Sequence, residues 1–226
     1  MKRSAIILIL TFLLLLSFAT LASAEVLFGV TAETGPMDLK TTIKSDYAAA
    51  YQLDGVNNIS STPTMVTLTG DLNLFLIHIG AEYGTGDAGH GSTFSTATVK
   101  AGWDFGLPVL SFSLFGGYQG MTLTKSNSAS ASLDDCAYWD LFAGLGAQAS
   151  LGPISIYGTT NIPIYGRYRD GVNSDNSASI DYYKLGVSYA PIPFVNLFVD
   201  YRKMEADSKV IKLESDGYQF GVGLSF

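Results

Sequence analysis

The chain is short of charge, of cysteine and of histidine. Charged residues make up 15% of its 226 residues, whereas a soluble domain typically has about a quarter. A single cysteine cannot form an internal disulfide, and two histidines are too few for a zinc site of the usual Cys/His type. After residue 25, no apolar run approaches the ~20 residues that a membrane-spanning helix needs. These shortages argue against an ordinary water-exposed surface, a disulfide scaffold, a zinc protein and a helical membrane protein.

The first 24 residues have the pattern of a secretory signal peptide. Lys2 and Arg3 precede an apolar centre, AIILILTFLLLLSFA, and Ala22-Ser23-Ala24 supplies the small residues of a cleavage site. No cysteine follows the apolar centre, so a lipoprotein-type anchor is not expected. We expect residues 1–24 to be cleaved and the mature chain to begin at Glu25.

The mature sequence is acidic. Without Lys2 and Arg3, 11 basic residues stand against 20 acidic ones, a formal net charge of −9. An acidic surface repels the phosphate backbone, so nucleic acid is not expected as a partner. Neither a metal site nor a cofactor is indicated by any motif.

Period-two alternation dominates the mature sequence. Such alternation places one class of residue on each face of a β-strand. The connections also alternate, between short turns (GLP, GP, PIP) and longer polar stretches (GTGDAGHGS, KSNSASASLDDCA, DGVNSDNSA, KMEADSKVIKLES). This asymmetry is typical of an up-and-down outer-membrane barrel. We predict one all-β domain over 25–226, a transmembrane antiparallel barrel of about 10 strands, at 25–33, 64–74, 75–84, 94–105, 109–122, 138–151, 154–168, 180–190, 194–204 and 215–226.

The segment 34–63 does not fit this pattern. It is too long for a plain hairpin loop. It is predicted as a long extracellular loop, with a short helix in SDYAAAYQL, or as an extra strand pair that would raise the count to 12. Counts of 8 and 12 strands both stay open at this point.

The composition of the two strand faces decides between a soluble barrel and a membrane barrel. On the strand 138–151, one face carries Asp140, Phe142 and small residues, and the other is almost purely apolar. A solvated face would normally carry Lys and Glu. An extended apolar face is an aggregation hazard in water, but it is what a bilayer requires. Only closed barrels let strands span a membrane, because every backbone polar group must be paired internally. The apolar face is therefore predicted to contact lipid.

Aromatic residues on the apolar face cluster at the strand ends. Such clusters are typical of the girdles at membrane–water interfaces. The predicted outer girdle comprises Tyr83, Tyr118, Trp139, Tyr183, Tyr201 and Tyr218, and the inner girdle Phe75, Trp103, Phe105, Tyr189 and Phe226.

The mature chain resembles the small outer-membrane β-barrels of Gram-negative-type bacteria, the broad group that includes OmpA-, OmpX- and OmpW-like proteins. The resemblance rests on the signal peptide, on hairpins such as LGVSYAPIPFVNLFVDYR and on the terminal GYQFGVGLSF. We expect no peptidoglycan-binding domain after the barrel. The resemblance implies an outer-membrane location, contact with lipopolysaccharide, and recognition by the barrel-assembly machinery. It also implies that the assembly signal consists of Tyr218, Phe220, Val222, Leu224 and Phe226.

The opposite strand face places charged residues inside the barrel. The predicted polar network of the lumen comprises Glu33, Asp71, His78, Glu82, Lys100, Asp104, Asp140, Arg167, Lys184, Asp200 and Arg202. Buried charges must be paired, and barrels near eight strands are filled by side chains. The large inward residues Phe115, Phe142, Tyr157, Tyr165 and Phe198 fill the lumen further. We therefore expect a largely plugged lumen, with a narrow porin-like channel as the alternative.

No constellation of residues indicates catalysis. Outer-membrane barrels that modify lipid A or cleave proteins need His with a serine or acidic partners. Here His90-Gly91-Ser92 lies in a glycine-rich stretch, and His78 has no serine at catalytic spacing. The sequence thus predicts a non-enzymatic monomer, structural or adhesin-like through its polar external loops. A lipid A-modifying enzyme is the third hypothesis.

Overall fold

A computed structural model describes residues 28–44, 58–74, 77–89, 91–107, 109–125, 136–170 and 176–226. No helix within these ranges is long and apolar enough to cross a membrane. The described residues form eleven β-strands: β1 (Phe28–Ile43), β2 (Asn58–Ser61), β3 (Thr64–Leu74), β4 (Ile77–Gly89), β5 (Ser92–Leu107), β6 (Leu110–Lys125), β7 (Cys136–Leu151), β8 (Ile154–Arg169), β9 (Asn176–Ile192), β10 (Val195–Ser208) and β11 (Ile211–Ser225).

The strands close into a single antiparallel barrel. Strands β3 to β11 pair in chain order, and β11 returns to pair with β1, for example Val30 opposite Leu224. β2 and β3 pair with the same edge of β1 and are separated only by Thr62 and Pro63. Together they occupy a single strand position in the barrel wall. We call such a position a stave, and the wall has ten of them. The prediction of an up-and-down barrel of about ten strands is confirmed.

The segment 34–63 lengthens an existing hairpin. Residues 34–43 continue β1, and β2 returns beside it, with Leu39 opposite Ser61. These residues are therefore strand rather than plain loop, but they add no new position to the wall, so the count of 12 is wrong. The predicted helix in SDYAAAYQL lies outside the described residues.

Two polar stretches predicted as long loops are instead paired strands joined by tight turns. We call these two extended β-hairpins the tall hairpins. β4 runs to Gly89 and β5 begins at Ser92. β10 runs to Ser208 and β11 begins at Ile211, and the Ser208 hydroxyl oxygen accepts from the Ile211 backbone N–H at 3.0 Å. The loop prediction is wrong here because these strand ends have a polar outer face, and a polar outer face resembles a loop in composition.

The two ends of the barrel differ. The short-turn end carries the connections β5–β6, β7–β8 and β9–β10, together with Phe28 and Phe226, which exchange backbone hydrogen bonds. The opposite end, here called the loop end, carries the tall hairpins. Between the aromatic positions the outer face is apolar and exposed, for example from Tyr218 on β11 to Phe226, which directly follows that strand. Beyond Tyr218 the pattern reverses: Lys212 and Glu214 face outward, and Ile211 and Leu213 are buried inside.

This reversal has a simple physical explanation. An outer face in lipid must be apolar, whereas an outer face in water is polar and its apolar residues turn inward. From Tyr218 to Ile211 is seven residues, or ~23 Å along the strand. The barrel wall therefore continues past the outer aromatic positions as a water-soluble barrel.

Candidate functional site: the barrel interior

A charged cluster lies at the middle of the interior. The Arg202 guanidinium donates to Glu82 Oε1 at 2.7 Å, to Asp200 Oδ1 at 3.1 Å and to Glu33 Oε2. The Lys184 ammonium lies 2.9 Å from Asp200 Oδ2 and 3.2 Å from Glu33 Oε1. Because β10 and β4 are four staves apart, the Arg202–Glu82 pair spans the interior. Three carboxylates and two cations neutralise one another here to within one charge.

A second polar group lies nearer the short-turn end. His78 Nε2 is 2.8 Å from Asp71 Oδ1, and His78 Nδ1 is 3.2 Å from Asp104 Oδ2. The Lys100 ammonium lies 5.4 Å from the centroid of the Phe115 ring, within the range of a cation–π contact. Since a carboxylate occupies each ring nitrogen of His78, this imidazole is not free to act as a general base.

A polar cavity of about 490 Å³ connects the two groups. Inward residues of β7 become more exposed toward the short-turn end: Asp140 and Phe142 are buried, whereas Gln148 is exposed. The cavity therefore opens at the short-turn end. Its lining includes hydroxyl and amide side chains together with the rings of Phe115, Tyr157, Tyr182 and Phe198.

Apolar side chains fill the interior on the loop-end side of the charged cluster. Tyr138 is 1% exposed, and its hydroxyl donates to the Ile211 carbonyl oxygen at 2.8 Å. This bond joins staves four apart and so crosses the interior. We call the set the upper core; it comprises Met37, Leu39, Ile43, Met65, Ala88, Phe94, Met121, Cys136, Tyr138, Tyr168, Ile180, Tyr182, Met204, Ala206, Val210, Ile211 and Leu213.

The wall is interrupted between β8 and β9. Asn161 pairs with Tyr182 and Gly166 pairs with Ala178, but the residues between them are not paired across these two strands. Pro163, which has no backbone N–H, lies inside the interruption. The backbone of β9 at this level therefore needs other partners.

Inward side chains supply those partners. Asp140 Oδ2 accepts from the Ile180 backbone N–H at 2.7 Å, and Gln119 donates to the Ile180 carbonyl at 2.7 Å. Asn161 in turn donates to Gln119 Oε1 at 2.8 Å. Asp140 and Gln119 are fully buried. We call Gln119, Asp140 and Asn161 the wall seal, because side chains here replace missing backbone pairs.

The interruption also reverses the facing of β8. Arg167, predicted inside, donates to the hydroxyl of Tyr165, whose side chain is exposed on the outer face, while Tyr168 is fully buried. Both inward predictions, for Arg167 and for Tyr165, are wrong, because the irregularity shifts the alternation by one residue.

The other predicted lumen residues lie on the inner face. Glu33, Glu82, Lys184, Asp200 and Arg202 belong to the charged cluster, and Asp71, His78, Lys100 and Asp104 line the cavity nearer the short-turn end; Asp140 is part of the wall seal. Sequence reasoning missed Gln119 and Asn161. The feature of the sequence that could have identified these two residues is a single amide side chain among the inward positions of its strand.

The predicted outer-girdle residues all lie on the outer face. Tyr118 stacks on Trp139 with ring centroids 5.8 Å apart, and Tyr165 extends this row at 5.9 Å from Trp139. Tyr201 and Tyr218 form another ring contact, at 5.3 Å. Tyr83 and Tyr183 are exposed on the same face.

At the short-turn end, Trp103, Phe105, Tyr189 and Phe226 are exposed, and Phe75 lies outside the described residues. Phe194, which was not predicted, stacks on Phe226 at 6.4 Å. Four residues of the expected assembly signal lie on the outer face of β11, Tyr218, Phe220, Val222 and Leu224, and the fifth, Phe226, directly follows the strand and is exposed.

The described residues contain no group of three or more His, Cys, Asp and Glu side chains arranged to hold a metal ion. His90 lies outside the described residues.

Comparison with known proteins gives structural matches only. No family model and no curated protein matches the sequence. The outer membrane protease OmpT from Escherichia coli matches with a TM-score of 0.59 at 11% identity, over 88% of this chain and 97% of that one. Neisserial surface protein A has a TM-score of 0.42 at 14% identity, over 88% and 97%. Ail of Yersinia pestis has a TM-score of 0.38 at 13% identity, over 88% and 98%.

At these identities the likeness concerns the fold alone. The chain has the fold of bacterial outer-membrane β-barrels, and the comparisons do not single out the OmpA-like group within that class.

Proposed function

We propose that the protein is an integral outer-membrane barrel that acts through its external surface, in a structural or adhesin-like role, and does not conduct solutes. The observation that carries this proposal is the upper core. Its largest fully buried side chains, Tyr138 and Tyr168, are 1% and 0% exposed, so a water-filled path along the barrel axis would have to pass through packed apolar groups.

The outward surface supports the location. Exposed apolar side chains between two sets of aromatic residues match the band that faces lipid in such barrels. The short-turn end then faces the periplasm and the loop end faces outward, where lipopolysaccharide surrounds the wall. The monomeric state and recognition by the barrel-assembly machinery remain parts of the same proposal.

Planar-bilayer recording of the refolded barrel tests the closed interior. We expect no steady single-channel steps. Steady steps whose size changes in Asp104→Asn, a substitution at the cavity, would contradict the proposal. A matched substitution on the outer face, Asp181→Asn, controls for a general change of charge.

A narrow channel is the second candidate, and the cavity of about 490 Å³ is the observation that favours it. The cavity covers only the part of the interior between the charged cluster and the short-turn end. Conduction would require the upper core to open.

We propose no enzymatic activity. The protease in the structural comparison shares the fold at 11% identity, and fold alone does not carry a catalytic site. The expected outcome is unchanged lipid A in cells that overexpress the chain; a new lipid A species that depends on His78 would overturn this.

A further inference from the structure

We propose that the cavity is a binding site, entered from the short-turn end, for a small organic polycation that carries primary ammonium groups. Its volume of about 490 Å³ lies within the 300–1,000 Å³ range of small-molecule sites. The proposal goes beyond the barrel's external role and does not depend on it.

The charges that line the cavity favour a cation. Four carboxylates line it, Glu33, Asp71, Glu82 and Asp104, against Lys100 and Lys184. Behind this lining, Arg202 pairs with Asp200 at 3.1 Å and also donates to Glu82 and Glu33, so the charges of Asp200 and Arg202 cancel and the balance is set by the lining. Because a carboxylate faces each ring nitrogen of His78, both nitrogens donate and the imidazole is a cation. The lining then carries a net charge of −1, and low-dielectric walls concentrate the resulting field.

The hydrogen-bond inventory favours a ligand that donates. Within the described residues, three residues that line the cavity each have a buried side-chain oxygen without a hydrogen-bond partner: Asn73 Oδ1, Asp104 Oδ1 and Asn161 Oδ1. Asn161 is only 5% exposed, and an unpaired buried acceptor costs free energy unless something donates to it. All three groups are acceptors, and an ammonium group is a pure donor.

Aromatic faces complete the site. The cavity already holds two ammonium groups of its own near aromatic rings: Lys100 over Phe115 at 5.4 Å and Lys184 over Tyr157 at 5.7 Å. The Phe198 ring packs edge-on against Tyr157 and also lines the cavity. Carboxylates combined with aromatic faces are the chemistry that recognises organic cations.

The two ends of the cavity match a ligand with separated charges. Asp71 and Asp104 lie near the mouth, beside His78, and Glu33 and Glu82 lie at the inner end. Along β4, His78 and Glu82 are four residues apart, or ~13 Å. A linear triamine has a length and charge spacing of this order, so spermidine is a suitable probe.

Isothermal titration of spermidine into the chain, folded in an uncharged detergent at low ionic strength, tests the proposal. We expect saturable binding at one site. Asp104→Asn, which keeps the size of the side chain but removes its charge, should weaken binding at least tenfold. Asn73→Asp, which adds a carboxylate at the mouth, should strengthen it severalfold. Asp181→Asn, an equal charge change on the outer face, should leave the affinity unchanged.

Three outcomes would overturn the proposal: no saturable binding, equal affinity in the Asp104→Asn and Asp181→Asn variants, or loss of spermidine binding when an equal concentration of Mg²⁺ is present. The last result would identify a site for inorganic cations. Mobility of unboiled samples on gels shows that each variant has folded.

Discussion

Arg202 is the residue on which the charged interior depends. It contacts three carboxylates, on β1, β4 and β10, from a position that is 3% exposed. Taking such charges out of water is costly, and the arrangement is stable only while every member is paired. The adjacent residue, Lys203, faces outward with its side chain 47% exposed. Arg202 and Lys203 are therefore adjacent cations on β10, one buried in the interior and the other exposed on the outer face.

The substitution Arg202→Met should destabilise the barrel by about 3–5 kcal/mol, because it leaves Glu33, Glu82 and Asp200 without their shared cation. Lys203→Met should change the free energy of unfolding by no more than about 0.5 kcal/mol. Urea unfolding in lipid vesicles, followed by tryptophan fluorescence, measures both. Equal effects of the two substitutions would show that the cluster does not stabilise the fold.

Glycine positions show how closely neighbouring strands constrain the inner face. A Cβ on Gly117, which faces inward, would meet the Val99 carbonyl oxygen and lie 2.8 Å from Phe142 Cζ. A Cβ on the adjacent Gly116, which faces lipid, would have only the Phe142 carbonyl oxygen nearby, at 3.4 Å.

Gly117→Ala should therefore destabilise the barrel by about 1–3 kcal/mol through overpacking. Gly116→Ala should be neutral or slightly stabilising, because it also reduces the freedom of the unfolded chain. The same unfolding measurement compares the two. A larger loss from Gly116→Ala would contradict the assigned facing of β6.

At the scale of the strands, the wall between β8 and β9 departs from regular pairing. Side chains of the wall seal carry the bonds that the backbone carries elsewhere. This arrangement predicts that the stability of one backbone amide depends on a carboxylate from another strand, β7. Hydrogen exchange resolves such a dependence residue by residue.

In Asp140→Ala the Ile180 amide should exchange at least tenfold faster, since a hydrogen bond to a charged group contributes about 1.5–3 kcal/mol. Asp140→Asn keeps an acceptor oxygen and should show a smaller effect. The Leu185 amide, in a regularly paired part of β9, serves as the internal reference. Equal protection of Ile180 in all three proteins would show that the seal is unnecessary.

Much of the element-level structure could be predicted because lipid imposes a strict alternation. The facing of β7 and β11 follows directly from their apolar positions. The strand ends could not be placed, because outside the bilayer a strand such as Ile211–Ser215 has the polarity of a loop on its outer face. The reversal at Tyr165 and Arg167 depends on one unpaired stretch around Pro163, which period-two reasoning does not detect.

At the scale of the whole molecule, one chain combines two barrels of opposite polarity. The section between the girdles is apolar outside and polar inside, and the section beyond the outer girdle is polar outside and apolar inside. The outer surface of the first section is suited to contact with lipid, and the outer surface of the second section is suited to contact with water. A polar cavity that opens at one end and an apolar core that closes the other follow from this arrangement.

Cysteine labelling on intact cells tests this account most directly. In a Cys136→Ala background, Lys203→Cys places a thiol on the outer face at the loop end, and Gln148→Cys places one on the exposed inner face near the short-turn end. A membrane-impermeant maleimide should label Lys203→Cys in intact cells, and Gln148→Cys only after the outer membrane is permeabilised. Labelling of Gln148→Cys in intact cells, or protection of Lys203→Cys, would contradict the account.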